Sequence, residues 1–264
     1  MPRFPALLAA MIATVIPCAG AQTVRVAAAA DLEPVLPAIF DQFRQATGIQ
    51  AEATYQASAA LTTQIENGAP FDLFLSANVD YPQRLISEGV AEGEGEGKAG
   101  RPIVYARGTL VLWTRKDAHF PAPSLELLRD PALKRLAIAN PDRAPYGKAA
   151  VAALEKLGLY DGLKPKLVTA ENIAQAAQFV DSGNADAGLI SLTSAMTPRL
   201  AASGQYFVLP KDLYPPIDQG AVLISKTGQR AAAKKLLVYL MSPPVQEDLR
   251  KHGLTPGSRA GMSP

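Results

Sequence analysis

Residues 24–56 read VRVAAAADLEPVLPAIFDQFRQATGIQAEATYQ, and the hydrophobic period changes twice within them. Val24 to Ala29 is a short apolar run of strand length. From Leu32 to Thr47 the apolar residues Leu32, Val35, Leu36, Ile39, Phe40 and Phe43 fall at helical spacing, and Gly48 closes the run. Ile49 to Tyr55 alternates as a second strand. The same alternation continues with a helix over Ala59 to Asn67, a buried strand over Phe71 to Ser76 and a helix over Tyr81 to Glu88. Repeated strand, helix, strand predicts an α/β fold with a mainly parallel sheet, helices on both faces and ligands beyond the carboxyl ends of the strands.

The acidic, glycine-rich stretch from Gly89 to Gly100 interrupts this pattern and reads as a surface loop. Gly95 to Gly100 has the glycine spacing of a dinucleotide motif, but no strand precedes it and its glutamates would repel a pyrophosphate. Beyond the loop, Ile103 to Tyr105 and Thr109 to Thr114 read as strands crossing into a second lobe. There the alternation resumes: strands at Lys134 to Ala139, Lys166 to Thr169 and Gly188 to Leu192, helices at Tyr146 to Leu157 and Ile173 to Ser182. A last strand at Gly220 to Ser225 and a helix at Gln229 to Met241 are too few for a domain, so they are expected to return to the first lobe. The division predicted is residues 22–105 with 219–264 for one lobe and 106–218 for the other, with a cleft between them.

Residues 1–21 have the form of a signal peptide: one charge at Arg3, an apolar stretch from Ala6 to Ile16, and Ala19-Gly20-Ala21 as a small-x-small cleavage site. The mature chain is expected to begin at Gln22 in the periplasm. The apolar stretch is shorter than the roughly 20 residues a spanning helix needs. The one cysteine, Cys18, falls inside this segment, so a released chain has neither a disulfide nor a thiolate site; lipidation of Cys18 would instead tether it. The 26 basic and 24 acidic residues are evenly spread, with no basic stripe or aromatic ladder, which argues against nucleic acid as a partner.

Enzymatic chemistry finds little support. The two histidines, His119 and His252, sit beside no recognisable nucleophile and acid, and no spacing of ligands suggests zinc. What does recur is a break at a small or polar step before a helix, at Ala30-Asp31, Ala57-Ser58, Pro145-Tyr146 and Asn172-Ile173. The first N–H groups of a helix lack internal partners and carry partial positive charge, so such starts facing one cleft would hold an oxyanion without lysine or arginine.

Five segments in order carry a family resemblance: Val26 to Leu32 (VAAAADL), Gln64 to Ala77 (QIENGAPFDLFLSA), Gly108 to Trp113 (GTLVLW), Leu136 to Pro141 (LAIANP) with Ala144 to Gly147 (APYG), and Glu171 to Ala176 (ENIAQA). The chain resembles the periplasmic molybdate-binding proteins of ABC importers. The resemblance implies a two-lobed type II periplasmic binding protein with two crossing strands as hinge. It further implies a tetrahedral oxyanion, molybdate or tungstate, held by hydroxyl and backbone N–H donors with no direct ligand to the metal, no cofactor, and delivery to a membrane permease driven by an ATPase. A monomer is expected.

Carried over by position, the ligand-binding residues would be Ala30, Asp31, Ser58, Tyr146 and Ile173, with Ser191 as a further candidate. Ser58 would offer hydroxyl and N–H, or serve simply as a helix N-cap. Tyr146 and Ile173 would contribute main-chain N–H groups, the Tyr146 ring being incidental. Asp31 departs from the pattern, because many relatives have a hydroxyl or amide there and a carboxylate would repel a dianion. It must turn away, be protonated or serve another ligand, and is expected to cap the helix beginning at Leu32. Another tetrahedral oxyanion, phosphate or sulfate, and a sensory role for the same fold remain the alternatives.

Overall fold

The computed structural model describes residues 22–95 and 97–257. The predicted signal peptide, with Cys18, lies outside them. The first lobe opens with β1 (Thr23–Ala29), α1 (Leu36–Thr47), β2 (Gln50–Gln56), α2 (Ser58–Glu66), β3 (Leu73–Ser76), α3 (Asp80–Ser87), a short β4 (Ala91–Glu92) and β5 (Ile103–Gly108). The second lobe follows with β6 (Leu110–Arg115), β7 (Leu136–Ala139), α4 (Pro145–Lys156), α5 (Tyr160–Leu163), β8 (Leu167–Ala170), α6 (Ile173–Asp181), β9 (Ala187–Ser191), α7 (Leu192–Ala195), α8 (Pro198–Ser203) and β10 (Gly204–Val208). The chain then returns through β11 (Ile217–Ile224), α9 (Arg230–Leu240), α10 (Pro243–Lys251) and β12 (Thr255–Pro256).

Each lobe is built on one sheet, ordered β12-β5-β11-β3-β1-β2 with β4 beside β11 in the first, and β10-β6-β9-β7-β8 in the second. The sheets are mixed rather than mainly parallel. β1 pairs in parallel with β2 and β3, and β7 with β8 and β9, as βαβ crossovers require. The crossing and returning strands join antiparallel: β11 to β3 and β5, β6 to β9. A strand that enters from the other lobe need not follow a crossover helix, so nothing forces it parallel.

The helix expected from Leu32 is divided. Ala30–Leu32 forms a 3-10 turn, closed by Val35 N–H donating to Leu32 O at 2.9 Å, and α1 starts only at Leu36. In a helix begun at Leu32, Pro37 would fall beyond the first turn, where its missing N–H and its ring break the ladder; with the start at Leu36 it lies in the first turn, where the missing donor has no partner to lose. Gly48, at φ 73°, ends α1 in the left-handed conformation that suits glycine.

The apolar core of the second lobe, around Trp113, Leu136, Leu154 and Val180, extends to Ala29, Ala30, Ala57 and Ala77 of the first. These alanines lie at or just beyond the carboxyl ends of β1, β2 and β3. The lobes are therefore closed on one another at the strand ends, where the topology predicts the ligand.

Candidate functional site

A small cavity enclosing about 200 Å³, its open mouth included, lies between the lobes. Ala29, Ala30, Asp31, Gln56, Ala57, Ser58 and Ala77 line it from the first lobe, and Ala144, Pro145, Tyr146, Asn172 and Ile173 from the second. None is lysine, arginine or histidine. All follow or terminate the parallel strands β1, β2, β3, β7 and β8, so the two halves of the lining meet as carboxyl edge to carboxyl edge. A larger groove of about 1070 Å³, open solvent included, also runs between the lobes and mixes Asp80, Asp142 and Glu155 with Lys148.

The helix starts around the cavity share an omission. Ala29 precedes the 3-10 turn, Ala57 is the N-cap of α2 and Ala144 the N-cap of α4, and none makes a side-chain capping bond. Alanine is among the poorest N-caps because it has no acceptor for the first-turn N–H groups. No side chain takes those donors, although Ala59 N–H of α2 bonds Arg143 O across the lobes. At the fourth start, Asn172 caps α6 by accepting from Gln175 N–H at 2.9 Å, which leaves the earlier N–H of Ile173 uncommitted by that bond. Pro145 occupies the first turn of α4, so its first N–H in register with the cavity is that of Tyr146. Gly147 lets this turn sit against β7: a Cβ there would lie 2.2 Å from Ala139 O.

Ser58 is 1% exposed and is the first residue of α2, not its cap; Ala57 is the cap. Its Oγ accepts from Ala77 N–H at 3.1 Å, so the hydroxyl proton is free for a ligand. Ala59 N–H, the next donor of that helix, reaches across to Arg143 O at 3.1 Å and ties the lobes at the mouth. Ser191 does not line the cavity. It caps α7 by accepting from Ser194 N–H at 3.2 Å, and its hydroxyl is engaged by Thr193 and Ser194, both at 2.9 Å.

The Asp31 side chain is tied into the protein behind the cavity, and it caps no helix. Its carboxylate is fully buried, and Oδ2 accepts from Tyr146 Oη at 3.1 Å and from Gln219 Nε2 at 2.5 Å. The reason is the divided helix: α1 begins five residues later, with Val35 as its cap. Thr193 Oγ1 donates to Asp31 O at 2.7 Å, so this one residue is bound by α4, α7 and the returning strand β11. The Tyr146 ring is thus part of the closure rather than incidental. It passes beneath the crossing strand at Gly108, where a Cβ would lie 2.1 Å from Tyr146 Oη. Burial pushes the Asp31 carboxyl up to about 6, and the bonds from Gln219, Tyr146 and its own backbone N–H only partly oppose the rise.

Gln219 and Thr193 carry no signal in the sequence, since one lies on a strand of the returning segment and the other on a four-residue helix. The three alanine caps are visible there as helix starts lacking Ser, Thr, Asp or Asn, a signal that is informative only once they converge.

Two lobes hinged by crossing strands, with uncapped helix starts converging on a small cavity between them, have the architecture of a solute-binding protein. The family model for bacterial extracellular solute-binding proteins matches residues 24–255, and the chain belongs to that family. Within it the chain groups with the ModA proteins. It is 39% identical to the molybdate-binding protein ModA of Azotobacter vinelandii over 94% of this chain and 96% of that one. It is 37% identical to the molybdate-binding protein ModA of Rhodobacter capsulatus over 93% of each. The solved periplasmic molybdate-binding protein of Azotobacter vinelandii superposes with a TM-score of 0.81 at 29% identity, covering 89% of this chain and all of that one. The chain is a binding protein and not an enzyme.

Proposed function

We propose that this chain captures molybdate, and tungstate with it, in the cavity between the lobes and delivers it to an ABC permease and its ATPase. One observation carries the reading: alanine-capped helix starts from both lobes converge on a cavity that holds no cationic side chain. A dianion there receives N–H and O–H donors at the positive ends of helices. The cage consists of the backbone at Ala30 and Asp31, the hydroxyl and N–H of Ser58, and the N–H groups of Tyr146 and Ile173. Ser191 supports the turn behind it. The metal itself meets no protein atom, and the oxyanion is a ligand rather than a cofactor.

The lobes in this reading are residues 22–105 with 219–264 and residues 106–218, in keeping with a chain that leaves the first sheet after Gly108 and rejoins it at Ile217. The protein acts as a monomer in the periplasm after removal of residues 1–21. The name of the family relatives and the cavity's lack of cations support the same ligand class.

Calorimetric titration with molybdate, tungstate, sulfate and phosphate tests the assignment. Molybdate and tungstate, nearly equal in size and charge, are expected to bind alike. Sulfate is smaller and leaves donors of the cage unpaired, at about 1 to 3 kcal/mol each. Hydrogen phosphate brings a proton toward donors. A second reading, capture of a protonated oxyanion, is favoured by the Asp31 Oδ1 atom, which is buried without a hydrogen-bond partner. Phosphate binding tighter than molybdate would establish that second reading and remove the first.

A further inference from the structure

Asp31 sits at the junction of both lobes and the hinge, and its hydrogen bonding is incomplete in an informative way. Oδ2 takes two neutral donors, Tyr146 Oη and Gln219 Nε2. Oδ1 has none, and neither does Gln219 Oε1, although both atoms are buried. Two side chains joined at one pair of atoms and each left with an orphaned acceptor are what a carboxylic acid and an amide look like with one proton left out. A proton on Oδ1 converts that orphan from an unpaired acceptor to a donor, and Gln219 Oε1 is an unpaired acceptor on the residue already bonded to the same carboxyl.

We infer that Asp31 is protonated in the closed state, so that capture of the oxyanion takes up one proton, with Gln219 and Tyr146 positioning the acid. This rests on the oxyanion reading of the cavity. What holds it as a carboxylate is neutral, Gln219, Tyr146 and its own backbone N–H, and opposes the effect of burial only in part. Tyr146 faces it from α4, Gln219 from β11, Thr193 from α7 with Ser191 and Ser194 behind, and Tyr105 from β5, whose hydroxyl points to Ser76 O at 3.4 Å. Glu33, on its own turn, is exposed and acidic. No lysine, arginine or histidine is among these groups. Burial, set against those hydrogen bonds, leaves the carboxyl at about 6, and a dianion in a cavity that Asp31 lines lifts it further.

When the lobes part, Asp31 loses Tyr146 and Thr193 and gains water, and its affinity for a proton returns toward the ordinary value near 3.8. The closed state then binds more protons than the open one across that interval. Affinity for the oxyanion is therefore full below the open-state value and falls by up to about tenfold per pH unit as pH rises to the closed-state value, then levels. From 3.8 to about 6 the loss reaches on the order of a hundredfold, and the bound dianion extends the window upward. Asparagine mimics the protonated acid, with an oxygen for Tyr146 and Gln219 Nε2 and an amide donor for Gln219 Oε1.

Molybdate titrations of the mature chain and of Asp31→Asn, at pH 6 in buffers of different ionisation enthalpy, count the protons. Asp31→Asn reports the anion's own protonation chemistry, and the native chain is expected to take up at least roughly half a proton more per anion than Asp31→Asn does. At pH 8 Asp31→Asn should bind about tenfold or more tightly than the native chain. Equal proton counts, with weaker binding by Asp31→Asn at pH 8, would overturn the inference while leaving the oxyanion site intact. Absence of molybdate binding by the native chain would instead remove the site itself. Infrared difference spectra of the native chain, bound minus free, give a readout that needs no substitution: a protonated carboxyl band should appear on binding, and only carboxylate bands would contradict it.

Discussion

Ala144→Asp is expected to abolish oxyanion binding, by a thousandfold or more, in a protein at least as stable as the parent. Ala144 is the N-cap of α4, is buried at 5% exposure, lines the cavity and makes no capping bond. An aspartate at an N-cap accepts from the second or third N–H of its helix, here those of Tyr146 and Gly147, and such a cap contributes about 0.5 to 2 kcal/mol. The substitution thus fills the donors assigned to the ligand with the protein's own carboxylate. It also places a charge beside the incoming dianion, where each pair of unit charges at 4 Å repels by about 4 kcal/mol at an effective dielectric near 20. A thousandfold loss is only about 4 kcal/mol, so the direction of the effect survives partial screening. Calorimetry and thermal unfolding together make the check. Binding within tenfold of the native chain would mean that the start of α4 is not part of the cage.

Ser58→Ala is expected to weaken molybdate by roughly 1.5 to 3 kcal/mol, the range for a hydrogen bond to a charged group. That is about 10- to 150-fold. The side chain is almost fully buried, and its hydroxyl bridges outward: it accepts from Ala77 N–H and has its proton left to donate. Removing it therefore has two consequences that can be separated. The Ala77 N–H loses its acceptor, which lowers the stability of the unliganded protein by about 1 to 3 kcal/mol, and the ligand loses a donor. If stability falls while affinity is unchanged, Ser58 supports the turn after β3 and does not touch the anion. The N–H of Ser58 survives the substitution, so binding is weakened and not abolished.

The layered α/β character was legible because the apolar period announces it: strands at Val24 to Ala29 and Lys134 to Ala139 and helices such as Ile173 to Ser182 all fall within a few residues of their positions in the structure. Two elements were less so. β10, at Gly204–Val208, alternates buried and solvent-facing residues too briefly to stand out, and α10 begins at Pro243-Pro244, which reads as a break until it is seen that prolines suit a first turn. The site divides in the same way. Ala30, Asp31, Ser58, Tyr146 and Ile173 do meet in one cavity, while Ser191 lies behind it. Local sequence places a helix start, but the partner of a side chain is a tertiary fact. Asp31 reads as a cap because a helical stripe follows it at once, but Pro37 fits only the first turn of a helix and α1 starts at Leu36, leaving the carboxylate to Gln219, 188 residues distant in the chain.

That partnership also explains how an acidic residue can sit in a cage for anions. Its charge is directed into the hinge, or neutralised there, and in the proposed cage the ligand meets the backbone instead. The lobes close through groups that surround the same cavity, Ala59 with Arg143 at the mouth and Asp31 with Tyr146 and Thr193 behind it, so the proposed capture site and the closure share one set of residues. An anion that bridges helix starts from both lobes binds the closed form better than the open one, which is the condition for shifting that equilibrium.

Diffraction from crystals of the mature chain grown with molybdate, recorded at the molybdenum absorption edge, tests the convergence of helix starts most directly. One anomalous peak is expected between the lobes, with oxygens about 2.7 to 3.2 Å from the N–H groups of Ser58, Tyr146 and Ile173. A peak outside that cavity, or oxygens held by lysine and arginine side chains, would contradict it.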